Sequence, residues 1–202
     1  MSLRVSRQAR QSGFTLVELM IVVAIVAILA VLGTFGARKY LAQAKAAEAT
    51  NTVGAINRAA VAAYLHETGP NQIVIGGAKI VSAPHVLCTS SASVPATDAA
   101  IQGRKYTANT ANNADYHATT SGGWACLKFE MSEPQSYRYK YTKGAAPGLA
   151  ANVTVPAGAD WLAEARGDLN GDGTFSGFVT GGKIANSQPT MFTEIAQQSP
   201  EE

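Results

Sequence analysis

Few residues in this chain have types and spacings that could do chemistry. Gly13-Phe14 closes a short polar stretch, and Glu18 stands at the mouth of a run, residues 19–37, that holds no Asp, Glu, Lys or Arg. A cut between Gly13 and Phe14 would create a terminal amine four residues from the Glu18 carboxylate. That pairing is electrostatic rather than catalytic. Asp168, Asn170 and Asp172 place oxygens at alternate positions in a glycine-containing turn, like the start of a calcium loop. Cys88 and Cys126 form no CxxC pattern, which argues against zinc. His66, His85 and His117 show no ligand-like spacing, and no nucleophile–base pair or phosphate loop is present.

The N-terminal segment must position the first of these groups. Arg4, Arg7 and Arg10 precede it with no acidic residue between Met1 and Gly13. Removing these three from the 16 basic residues leaves 13 against 14 acidic ones, so the remainder gives no electrostatic case for nucleic acid. The apolar run is long enough to cross a bilayer as a helix, and Arg38-Lys39 closes it. The basic side should stay cytoplasmic and the rest of the chain outside. Three readings compete: a secretory signal peptide, a plain signal anchor, and a precursor cut at Gly13/Phe14. The run is longer than the apolar part of a signal peptide. The third reading also explains Glu18. A carboxylate in a spanning segment costs ~2.5–3.5 kcal/mol at a central position, and less near the headgroups. In a staggered bundle of identical helices, Glu18 of one copy can meet the Phe14 amine of the next and select that axial register.

The segment Gly13-Phe14-Thr15-Leu16-Val17-Glu18-Leu19-Met20-Ile21-Val22, continuing apolar to Ala30, resembles the prepilin signature of type IV pilins and type II secretion pseudopilins. The resemblance implies cleavage after Gly13 by a prepilin peptidase, N-methylation of Phe14, and an assembly role for Glu18. It implies as partners identical subunits in a helical filament and an inner-membrane assembly platform with its ATPase. It implies an inner-membrane precursor with a cytoplasmic N-terminus, and an extracellular pilus after assembly. One departure is plain. Many relatives carry a proline late in the apolar run, whereas here none precedes Pro70 and Gly33 and Gly36 stand instead. Glycine weakens a helix by ~1 kcal/mol relative to alanine, so unwinding in the filament is expected near 33–36.

Four regions follow: a basic leader at 1–13, an apolar helix at 14–37, an amphipathic helix at 38–69, and a β domain at 70–202. Leu41, Ala49, Val53, Ile56, Ala60 and Tyr64 recur at mostly helical steps, and Glu67-Thr68-Gly69-Pro70 ends the segment. Beyond it, Ile73–Ile75 and Lys79–Val81 flank Gly76-Gly77 as a hairpin. Residues 82–123, rich in Ala, Ser, Thr and Asn, read as a long surface loop with weak structure. Ala125, Leu127, Phe129 and Met131 alternate like a strand. Tyr137, Tyr139 and Tyr141 alternate with Arg138 and Lys140. A strand with tyrosines inward is favoured there over a nucleic-acid stacking surface. Trp161–Ala165 and Thr174–Val179 complete an antiparallel sheet of about four strands laid on the helix, an α+β fold.

If this domain lies outside the cytoplasm, Cys88 and Cys126 read as one disulfide; two buried thiols are the other reading. The Asp168 turn stays open between a bare hairpin turn and a calcium site, because the bidentate glutamate of a calcium loop is replaced by Val179. No cofactor is required. The reading is a structural pilin subunit. The alternatives are a minor pilin or pseudopilin, or a filament-tip adhesion or DNA-binding module; an anchored enzyme ranks last.

Overall fold

The structure, a computed structural model, describes residues 13–66, 85–109, 111, 114–117 and 122–200. The leader up to Ser12, the end of the helix at 67–70 and the hairpin around Gly76-Gly77 lie outside the described residues. The chain divides into two compact units, the first ending at Tyr40 and the second beginning at Leu41.

Helix α1 spans Leu16–Leu65, within the expected bounds. In the first unit it runs unbroken through Gly33 and Gly36. In the second unit it buries Ala49, Val53, Ile56, Asn57, Ala60 and Tyr64, a stripe at three- and four-residue steps with Asn57 beside it. Leu41, expected on that stripe, is instead 58% exposed. The helical period continues past the area that the domain covers, and periodicity alone does not show where cover stops.

The sheet has five antiparallel strands: β1 Arg138–Lys143, β2 Trp161–Gly167, β3 Ser176–Ala185, β4 Gln188–Met191 and β5 Ala196–Gln198. The order is β1-β2-β3-β4, with β5 also on β3. Three steps along β3, Gly182 to Val179, oppose five on the other side, Met191 to Ala196. Thus β4 and β5 are halves of one edge strand broken by a bulge, a device that blunts an exposed edge. Neither half was expected, because their residues are mostly polar and exposed. The opposite edge, on β1, is covered by residues 91–94. Val94 and Tyr139 exchange backbone hydrogen bonds of 2.9 and 2.8 Å, and the Ser91 amide donates to the Tyr141 carbonyl at 2.9 Å.

The side-chain alternation on β1 follows the expected pattern. Tyr137, Tyr139 and Tyr141 are fully buried, while Arg138 and Lys140 are partly exposed. Across the ladder, Tyr139 faces Ala165 and Tyr141 faces Ala163, so large side chains sit against small ones. These residues share a core with the α1 stripe, Trp161 and Phe178. The other face of the sheet is buried too. Leu162 and Val179 pack there against Ala150, Val153 and Ala159. The Glu164 carboxylate, itself fully buried, fastens that cover by accepting from the amides of Gly148, Leu149 and Ala150 and from the Thr142 hydroxyl at 2.6–3.0 Å.

Two expectations are corrected. Residues 125–131 do not form a strand. Trp124–Leu127 is a single helical turn, α2, bracketed by positive φ at Gly123 (53°) and Lys128 (52°). Trp124 and Leu127, three apart, both enter the core, and Phe129 and Met131 pack at its margin. A short helical turn and a strand give similar apolar spacing over so few residues. Nor is 82–123 a loosely held surface loop where it is described: Leu87, Cys88, Val94, Ile101, Ala108 and Tyr116 are buried. Polar side chains from β1 and its approach hold this stretch. Buried Gln135 donates to the carbonyl of Val94 and accepts from the Tyr116 hydroxyl, and Arg138 bonds Pro95, Ala96, Ser93 and Asp98. Such long-range partners leave no local sequence pattern.

Candidate functional site: the start of the apolar helix

Gly13, Phe14 and Thr15 are exposed, non-helical backbone ahead of α1. Phe14 is 85% exposed. Thr15 is the N-cap. Its hydroxyl accepts from the Glu18 amide at 3.2 Å, and Glu18 reaches back to accept from the Thr15 amide at 3.0 Å and hydroxyl at 2.7 Å. This is a capping box, Thr-x-x-Glu, satisfying donors that a helix start otherwise leaves orphaned. The carboxylate also lies where the helix dipole favours negative charge. Sequence reasoning missed this use of Glu18, although the Thr15–Glu18 spacing signals it.

Beyond the cap, fourteen large apolar side chains from Leu16 to Phe35 are exposed. Burying each fully would release ~1.5–3 kcal/mol, a sum that exceeds the ~5–15 kcal/mol stability of an ordinary domain. Water is therefore the wrong surrounding for this segment. Among the described residues, α1 is the one helix long and apolar enough to cross a membrane.

The remaining candidate residues lie in the second unit. Cys88 and Cys126 are bonded as a disulfide, with Cα atoms 5.8 Å apart. Its loop ties the 85–109 stretch to α2. Asp168, Asn170 and Asp172 form the turn between β2 and β3 but face differently. Asp168 is fully buried and accepts from the amides of Gly171 (2.7 Å) and Gly173 (3.0 Å) and from Gln102 (3.3 Å). Asn170 and Asp172 are bonded to each other in solvent, and the Thr174 amide donates to Asp172 at 2.6 Å. These bonds, the Thr174 amide first, hold the Asp172 carboxyl below its ordinary range. Among the described residues no three His, Cys, Asp or Glu side chains gather as metal ligands.

The second unit thus carries an α+β domain behind an exposed, capped apolar helix start. Residues 8–34 match the family described as the prokaryotic N-terminal methylation motif, the type IV prepilin signature. The match covers the N-terminal segment alone; it supports a type IV pilin-like or pseudopilin relationship, and the motif implies processing by a prepilin peptidase. No curated protein and no solved structure gives a significant match.

Proposed function

We propose that the chain is a type IV pilin: an inner-membrane precursor cut between Gly13 and Phe14, methylated on Phe14, and polymerised through α1 into an extracellular filament. One observation carries this reading. A single carboxylate, Glu18, opens a charge-free helix segment whose apolar side chains are exposed on every side. Lipid satisfies the apolar surface before assembly, and packed copies of the same helix satisfy it afterwards. The hydrophobic gain of that transfer is small because both surroundings are apolar, so extraction needs an external motor. Register then comes from charge: Glu18 of one subunit meets the Phe14 amine of its neighbour in a core where an unpaired charge is costly. The platform and its ATPase supply the work, and the peptidase supplies the amine. Shearing filaments from cells and identifying their subunit tests the reading. The chain should be the abundant component of the sheared fraction. Its retention in the membrane, with filaments built of another protein, would refute a shaft role and favour a minor pilin or pseudopilin.

A further inference from the structure

Asn152-Val153-Thr154 is the chain's one Asn-x-Ser/Thr triplet with a residue other than proline in the middle, the acceptor pattern for N-linked glycans. The fold displays it in an unusual way. The Val153 amide donates to the Ala150 carbonyl at 3.0 Å, closing a turn whose two ends are buried in the second core cluster. Ala151 and Asn152, at its middle, are exposed, with the Asn152 Oδ1 lying over Gly177, and Thr154 is exposed just after it. Val153 is fixed by its seat: a Cβ at Gly177 would lie 2.7 Å from Val153 Cγ2, so only glycine in β3 admits it. Buried Val153 therefore separates an exposed carboxamide from an exposed hydroxyl. The Asn152 carboxamide makes no hydrogen bond among the described residues. Beside it opens a groove of about 540 Å³ lined by Arg166, Thr174, Phe175, Gln198 and Ser199, with the Arg166 guanidinium 3.9 Å over the Phe175 ring. That leaves room next to the acceptor for a sugar.

We propose that Asn152 is an N-glycosylation site, a reading that rests on the proposed function only in requiring this domain to lie outside the cytoplasm. The donor class is an oligosaccharide on a polyprenyl pyrophosphate. The Asn152 carboxamide nitrogen attacks the anomeric carbon. A carbon–nitrogen bond forms and the bond from that carbon to the pyrophosphate oxygen breaks. The lipid pyrophosphate leaves with the electron pair, and the amide proton passes to a base of the transferase. Asn152 and Thr154 are both exposed, and neither side chain has to be freed from an internal partner first.

The test is peptide mass spectrometry on the full-length protein purified from the cells that make it. The peptide holding residue 152 should carry hexose or N-acetylhexosamine increments. Asn152→Gln and Thr154→Ala should abolish them, and Thr154→Ser should retain them. An unmodified Asn152 in all copies, or a glycan that persists in Asn152→Gln, would overturn the proposal. The same spectra read the N-terminus independently, so a failure here is distinguishable from a failure of the pilin reading.

Discussion

Thr15 and Glu18 cap each other across the first turn of α1, so the carboxylate already has a partner in the single subunit. In the proposed filament, pairing with a neighbour's amine would be an exchange rather than the rescue of a bare charge. This separates two roles that Glu18→Ala would confuse. Glu18→Gln keeps an acceptor for the cap but removes the charge. It should leave cleavage and membrane insertion near wild type and still cut filament yield about a hundredfold or more, by the ~3–5 kcal/mol of an unpaired buried amine. Filament counts and leader removal, measured together, check it. Normal filaments from Glu18→Gln would dismiss charge as the register device.

Asn57 clasps helix to sheet in the second unit. Its Oδ1 accepts from Trp161 Nε1 at 2.7 Å, and its Nδ2 donates to the Gly181 carbonyl at 3.1 Å. Asn57→Ala orphans the buried Trp161 Nε1, while the Gly181 carbonyl keeps the Phe192 amide at 2.8 Å, so a loss of roughly 1–3 kcal/mol is expected. Denaturant unfolding of the detergent-solubilised protein measures it; a loss below ~1 kcal/mol would contradict the clasp.

The tyrosine strand makes the domain sensitive to alkali. Burial pushes Tyr137 up to about 12 and Tyr139 well above 10.0. A phenol whose folded pKa is raised contributes stability that is whole below its unfolded value near 10.0 and is lost as pH rises through the folded one. Stability should hold to about pH 10 and then fall steeply. In a spectrophotometric titration, the buried tyrosines should ionise together with loss of folded circular dichroism. Their ionisation at pH 10 in an intact fold would contradict the packing.

Much of this was legible because it is local or periodic. The apolar run, the alternation of Tyr137, Tyr139 and Tyr141, and strand β2 announce themselves within a few residues. What escaped was held by distant partners or by too short a pattern. Gln135 and Arg138 pin the stretch around Val94–Asp98 from far along the chain, so its Ala- and Ser-rich composition read as loose. α2 is one turn long and mimicked a strand. Asn57 is buried by its bonds to Trp161 and Gly181, partners more than a hundred residues away that no local pattern marks. The capping box was readable, but the cost of a charge in an apolar segment drew attention to Glu18 alone.

The Cys88–Cys126 bond closes a loop with a sequence separation of 38 and joins the 85–109 stretch to α2. Replacing both cysteines by serine should cost ~2–4 kcal/mol, chiefly by freeing the unfolded chain. Thermal unfolding with and without reductant should show the wild type, but not the double variant, losing stability.

The claim beneath all of this is that the mature chain begins at Phe14 and presents an amine for Glu18 of a neighbour. Intact-mass and N-terminal analysis of the native protein tests it most directly. The account predicts a chain that starts at N-methylated Phe14. A native chain that keeps Arg4, Arg7 and Arg10 would contradict it.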